Sequence, residues 1–246
     1  SSDVCSSDLN IELPTEASLI RLAPEKQVVT IKQAMHAIHE GETEAKAEKR
    51  APRFAPAGQS TQMIVGADAT DDSTILHTAQ SLYGDFRLRR VYYSAFSPIP
   101  HSPKTVPFEA PPLLREHRLY QADFLMRSYG FKAGELLTGP GNLPLDIDPK
   151  LAWALSNREH FPVDLNSAEP ALIARIPGIG ILSAKRLVAL RRQKRIRFED
   201  LTRLRCSLEK AKPFVITQDY RPSLAYRESS ALRQQLSEGP VQMGLW

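Results

Sequence analysis

The chain has 246 residues, 42% of them hydrophobic, and carries 32 Lys+Arg against 28 Asp+Glu for a formal charge of +4. That length allows one large domain or two ordinary ones, with enough apolar content for real cores. Its two cysteines exclude a disulfide-stapled scaffold, a four-cysteine zinc site and an iron–sulfur cluster held by three or four thiolates of this chain.

Residues 1–9, SSDVCSSDL, repeat the triplet Ser-Ser-Asp around Val-Cys without apolar periodicity. They resemble translated adaptor sequence, so the natural chain is expected to enter at about Asn10, without Cys5. From there the pattern alternates. NIELP (10–14) reads as a short strand stopped by Pro14. TEASLIRL and then VVTIKQAMHAIHEGE read as helices, the second with Val28, Ile31, Met35 and Ile38 on one face. Residues 41–60 read as a charged and then Pro/Ala-rich loop. QMIVGAD reads as a buried strand, TDDSTILHTAQSLYG as a helix with an acidic first turn, and RRVYYSAFSPIP as a third strand ended by prolines. Strands alternating with helices predict a parallel sheet of βα units over 10–110. Three such strands cannot close a barrel or bury both faces of a sheet, so this α/β part is expected to be a piece of something larger.

Residues 111–160 are predicted as connecting helices and loop. LLREHRLYQADFLMRSYGF is a long amphipathic helix, a Gly/Pro loop spans 138–144, and Asp148-Pro149 form an N-cap and N1 pair for a helix through about Arg158. An all-helical module is expected over 161–225 and a polar tail over 226–246. No uncharged apolar run approaches the roughly eighteen residues of a membrane span, and no charged start leads into an apolar signal segment. A cytoplasmic protein with no membrane partner is expected.

The charge is unevenly placed. From Arg175 to Lys212 twelve Lys/Arg face three acids, a surplus of nine that leaves the rest of the chain at −5. A compact basic module on an acidic remainder is the footprint of a nucleic-acid binder. It contains the sharpest motif in the chain, VDLNSAEPALIARIPGIGILSAKRLVALRR (163–192). Asn166 or Ser167 is expected to cap a short helix that carries Leu172, Ile173 and Ile176 inward. Pro177-Gly178-Ile179-Gly180 then turns the chain into a second helix from about Leu182. The glycines permit backbone conformations and close approach that a Cβ would block. Ile179 plugs the hairpin into the core, Ala184 is small enough for the helices to pack closely, and Leu187 and Val188 complete the buried face. Backbone N–H groups at the positive end of the second helix are left to face an anion.

This arrangement is similar to the helix–hairpin–helix of DNA-binding proteins, and the Gly-hydrophobe-Gly-x-x-x-Ala pattern is matched in full. The resemblance implies contacts to DNA backbone phosphate, non-specific in sequence, through Gly178, Ile179, Gly180, Ser183, Lys185 and Arg186. FEDLTRLRCSLEKAKPFV (198–215) reads as a degenerate second copy without glycines, and with it the module resembles the two-copy arrangement of competence-type DNA receptors. A glycine-turn helical pair that docks protein is the alternative. Cys206 reads as a buried small residue.

The front half carries a second resemblance. NIELPTEASLIRLAP, FAPAGQSTQMIVGADATDDSTIL and LRRVYYSAFSPIPHSP look like the later βα units of a radical S-adenosylmethionine enzyme. Joined to REHRLYQADFLMRSYGF, LDIDPKLAWAL and the hairpin, the order resembles the DNA modification or repair subgroup associated with a uracil-DNA-glycosylase-like partner, over about residues 10–225. The resemblance implies S-adenosylmethionine and a 4Fe-4S cluster as cofactors of the intact family. It implies a partial βα barrel over 10–110 and assigns Glu12, Thr15, Gly66 and Asp68 to the cofactor side, with Ser94 and Ser97 ending the third strand; capping or loop hydrogen bonding is the other reading of Glu12 and Asp68. The family's C-x3-C-x2-C motif is absent, so this chain is expected to be a fragment, inactive alone, of a parent that acts on nucleic acid. The other reading is a non-catalytic helix–hairpin–helix DNA-binding or receptor protein whose front half is a scaffold. His36 and His39, at i and i+3, read as a surface helix face, and His77, His101, His117 and His160 join no constellation.

Overall fold

The computed structural model describes residues 9–47, 55, 58–98, 106–137, 141–223, 226 and 229–237. Residues 1–8, and with them Cys5, lie outside this set, as do His101 and the end of the predicted tail. The chain divides into two compact units, one of residues 1–123 and 140–142, the other of 124–139 and 143–246.

In the first unit the alternation of strand and helix is present. Helix α1 (Glu16–Leu22) follows the Asn10–Pro14 segment, and Thr15 caps it by accepting the Ser18 amide. Helix α2 (Val28–Ala47) buries Ile31 and Met35, as its apolar spacing predicts, and runs further into the predicted 41–60 loop than its composition suggests. Strand β1 (Ser60–Val65) buries every second residue and pairs in parallel with β2 (Arg90–Ala95), which aligns Met63 with Tyr93 and Val65 with Ala95. Between them α3 (Asp72–Phe86) starts at Asp71, whose carboxylate accepts the Thr74 amide, and buries Ile75, Leu76, Ala79 and Leu82.

The predicted first strand is reduced to a single parallel bridge, Glu12 to Met63, sustained by amide bonds from Glu12 to Gln62 and from Ile64 to Glu12. Glu12 has φ +59, so the backbone leaves the extended conformation where a ladder would need it. The unit is mixed α/β with a short parallel sheet, and no closed barrel forms among the described residues.

Helix α4 (Leu113–Tyr129) contributes its residues through Asp123 to this unit. Arg115 Nε donates to the fully buried Asp72 at 2.7 Å, and its Nη2 donates to the Thr70 carbonyl at 2.8 Å. A buried carboxylate needs such partners to offset its lost hydration.

The second unit contains the hairpin together with helices that the sequence reading set apart as a connector. They are α5 (Ala133–Leu136) and α6 (Pro149–Ser156), the latter capped as expected by Asp148 with Pro149 at N1. Trp153 of α6 lies in a run of edge-on aromatic contacts, to Phe131 at 5.3 Å and Phe161 at 5.9 Å, and Phe161 continues it to Phe214 at 5.1 Å. Strands β3 (Val163–Asp164) and β4 (Val215–Ile216) pair in parallel and bring the two ends of the basic module together.

Between those strands lie two helix–turn–helix pairs, α7 (Pro170–Arg175) with α8 (Ile181–Leu190) and α9 (Phe198–Arg203) with α10 (Leu208–Ala211). Neither Asn166 nor Ser167 caps α7. Its N-cap is Glu169, because Pro170 takes the first helical position, while Asn166 instead bridges to both the amide and the carbonyl of Ile196. The predicted polar tail contains helix α11 (Ser229–Leu236), which buries Leu232 and Leu236 and pairs Arg233 with Asp146 at 2.7 Å.

Replacing Arg115 with Met removes the cation from a carboxylate that has no exposed surface. We expect this to cost on the order of 3 kcal/mol of stability, read as a lower urea midpoint with unchanged slope.

Candidate functional site

The first hairpin is built as its residues require. Ile173, Ile176 and Ile179 are buried, as are Ala184 and Leu187, whereas Leu172 and Val188 are only half-buried. Gly178 has φ +77, and a Cβ there would stand 2.4 Å from the Ser207 carbonyl oxygen and 3.0 Å from the Ala211 amide. The close approach that Gly178 permits is therefore to the second helix pair, not to an outside ligand. Two bonds brace the pairs: the Ser207 amide donates to the Gly178 carbonyl at 2.9 Å, and Ser183 Oγ donates to the Leu204 carbonyl at 2.9 Å.

The second pair repeats the first in backbone detail. Arg205 (φ +58) takes the left-handed position of Gly178, and buried Cys206 takes the place of Ile179. Ser207 caps α10 as Gly180 caps α8, while buried Ala211 and Phe214 match Ala184 and Leu187. Cys206 is free and buried, and burial pushes its thiol above the usual range, which fits a core role.

The six residues predicted to face an anion differ in exposure. Gly180 is exposed with an ordinary φ of −74, and nothing lies within 4 Å of the position its Cβ would take. The amides of the first turn of a helix have no intrahelical partner. In α8 the Ile181 amide donates to the Tyr129 hydroxyl at 3.0 Å, which leaves Gly180, Leu182 and Ser183 with amides unbonded among the described residues. Ile179 is only 1% exposed and serves as the plug.

Lys185 and Arg186 are exposed on α8. Among the described residues neither makes an ion pair, and the same holds for Arg192, Arg195, Arg205 and Lys212. The other cations of the basic stretch are committed internally: Arg175 to Glu135, Arg191 to the Ala168 carbonyl, Lys194 to Asp200, Arg197 to Asp219, Arg203 to Glu199 and Lys210 to Asp148.

Sequence reasoning missed the support beneath the hairpin. Lys150 of α6 is 9% exposed, donates from Nζ to the Ile179 carbonyl at 2.6 Å and lies 4.5 Å from the centre of the Tyr129 ring. Burial pushes its pKa from the ordinary 10.5 down to about 7, with Asp148 and Cys206 restoring only part. The one signal was its place directly after an Asp-Pro helix start, where a Lys reads as solvated.

Of the four residues assigned to a cofactor, Glu12 and Thr15 line two different cavities of the first unit, and Gly66 and Asp68 line neither of these. Glu12 lines a cavity of about 520 Å³ with Arg21, Lys26, Ile64, Ala67 and Phe96, and its carboxylate pairs with Lys26 at 2.8 Å. Thr15 lines a separate cavity of about 180 Å³. Gly66 has φ +81, and the space a Cβ would fill is taken by the Pro111 ring, 2.7 Å away. Asp68 accepts the Ser18 hydroxyl and the Thr70 amide and lies 3.7 Å from Arg21. Burial raises its pKa, but these partners more than offset that and hold the carboxyl below its ordinary value.

Among the described residues no three His, Cys, Asp or Glu side chains converge as a metal-holding group, and Cys206 is the one described cysteine. The residues present do not fit a 4Fe-4S cluster. His36 is exposed and pairs with Glu40 at 3.4 Å, as a surface helix face does. No described helix is long and apolar enough to cross a membrane. Comparison with protein-family models, with curated proteins and with solved structures finds no match to this chain.

The two glycines should separate experimentally. Gly178→Ala places a Cβ against backbone in the left-handed region and is expected to lose more than about 1–2 kcal/mol, whereas Gly180→Ala should unfold within about 0.5 kcal/mol of the parent chain. Equal thermal midpoints for the two variants would contradict the backbone contact at Gly178.

Proposed function

We propose that this chain binds DNA through backbone phosphates at the first hairpin. The observation that carries the reading is the start of α8, where the unbonded amides of Gly180, Leu182 and Ser183 adjoin the uncommitted, exposed Lys185 and Arg186. A helix N-terminus with free amides favours an anion, and adjacent cations add the long-range attraction that a polyanion requires. Arg205 and Lys212, likewise exposed and without an ion pair among the described residues, extend the positive surface along the second pair. Nothing in this set reads base edges, so binding is non-specific in sequence and steeply salt-dependent.

For the first unit we propose a scaffold related to the later βα units of a radical S-adenosylmethionine enzyme that modifies or repairs DNA. Support comes from the sequence resemblance and from the parallel βα order. In such a parent the cluster and S-adenosylmethionine supply the radical chemistry, and a uracil-DNA-glycosylase-like protein is the implied partner. The cluster ligands are not in this chain, so we derive no catalytic step from it. Upstream coding sequence without a three-cysteine motif would remove the enzyme reading and leave the DNA-binding one.

For the hairpin, we expect Gly180→Val to weaken binding to an arbitrary duplex by about tenfold while the fold is retained. Replacing Lys185 and Arg186 together by Ala should lower the slope of log affinity against log salt by about 0.9 for each phosphate no longer neutralised. Fluorescence anisotropy over a salt series measures both, and unchanged affinity and slope in these variants would show that the hairpin is not the phosphate site.

A further inference from the structure

The hairpin peptide between Ile179 and Gly180 has a buried cation on one side and the exposed surface on the other. Lys150 Nζ donates to the Ile179 carbonyl at 2.6 Å, and the amide in the same peptide unit belongs to Gly180. A trans peptide is planar, with its carbonyl and N–H antiparallel. The Gly180 N–H therefore points away from Lys150, and Gly180 itself is exposed. Positive charge held on a carbonyl polarises the conjugated unit and strengthens its N–H as a donor, since hydrogen bonds in a chain reinforce one another. The next amide, of Ile181, is held by the Tyr129 hydroxyl, and the Tyr129 ring lies against the Lys150 ammonium. Lys150 and Tyr129 thus fix consecutive peptide units of the hairpin from beneath.

We propose that Lys150 is a positioning residue for the phosphate, whose buried ammonium acts through the 179–180 peptide to make the Gly180 amide a stronger anion donor. The ligand in this proposal rests on the DNA reading above; the polarisation of Gly180 does not. A purely structural role, bonding the buried Ile179 carbonyl, would be served as well by a neutral donor, because a buried ammonium carries a large desolvation cost. The groups facing Lys150 do not neutralise it. Asp148 is engaged on both oxygens, by the Leu151 amide and by Lys210 Nζ at 2.9 Å. The Cys206 thiol is pushed up by burial, Tyr129 offers its ring face, and Lys150 makes no ion pair among the described residues.

Two pH dependences of opposite sign follow. The folded pKa of Lys150, about 7, lies below the unfolded 10.5, so the unfolded chain binds more protons between these values. The stability contribution of this group therefore rises with pH across that window and is complete above it. Phosphate binding favours the charged form, so duplex affinity should fall as pH rises through about 7.

The test uses the full chain, isotope-labelled, with the Gly180 amide proton followed from about pH 5.5 to 9. We expect its shift to titrate with a midpoint near 7 and to lie flat in Lys150→Met. A duplex of arbitrary sequence at fixed ionic strength should bind about tenfold more weakly at pH 8.5 than at pH 6, with Lys150→Met weak and flat throughout. A Gly180 amide that does not titrate in the parent chain overturns the proposal, as does one that titrates alike in Lys150→Met. Should Lys150→Met fail to fold, the neutral donor Lys150→Gln takes its place under the same two readouts. A titrating amide in a chain that does not bind duplex would sustain the polarisation and remove the DNA reading alone.

Discussion

Backbone meets backbone at Gly178, where the carbonyl accepts the Ser207 amide at 2.9 Å and a side chain would collide with the Ser207 carbonyl. The arrangement of the second unit depends on this contact. It sets the first hairpin against the second pair, with Ile179, Cys206, Ala184 and Ala211 all buried. The pairing of β3 with β4 then closes the module. The start of α8 stays exposed, with the amides of Gly180, Leu182 and Ser183 unbonded among the described residues.

The same constraint divides the work of the two hairpin glycines. Gly178 faces inward and makes the fold possible, while Gly180 faces outward with open space beside it. The fold beneath braces the hairpin backbone. Lys150 and Tyr129 hold the 179–181 backbone, and Asp148 both caps α6 and fastens Lys210 of α10. A stretch the sequence presents as a linker between domains is therefore part of the hairpin's foundation. Its aromatic residues explain this: Phe131 and Trp153 are too apolar for a solvated connector and join Phe161 and Phe214 in one core.

In the first unit the polar residues that look functional at the strand ends are mostly engaged locally. Thr15 caps α1, Asp68 is held by Ser18, Thr70 and Arg21, and Pro111 fills the space beside Gly66. Only Glu12 opens on the larger cavity, and it does so paired with Lys26. Residue type and position after a strand select such residues, but local capping and loop bonding select the same types.

The sequence by itself determined helices α1 to α4 and the parallel strands β1 and β2, because apolar spacing at periods of 3.6 and 2 states which face is buried. It also determined the hairpin, because a Gly-Ile-Gly turn followed by Ala184 admits few backbones. The charge surplus was legible too, as a count. Tertiary structure alone decided which of those cations are free, since Arg175, Lys194 and Lys210 find acids distant in sequence or buried. It decided that the Asn10–Pro14 segment makes one bridge and not a strand, and that Leu232 and Leu236 of the tail are core. It placed Lys150 under the Ile179 carbonyl as well. A lysine one position into a helix is written in sequence as a surface residue, and only the packing of α6 against the hairpin takes its charge out of water.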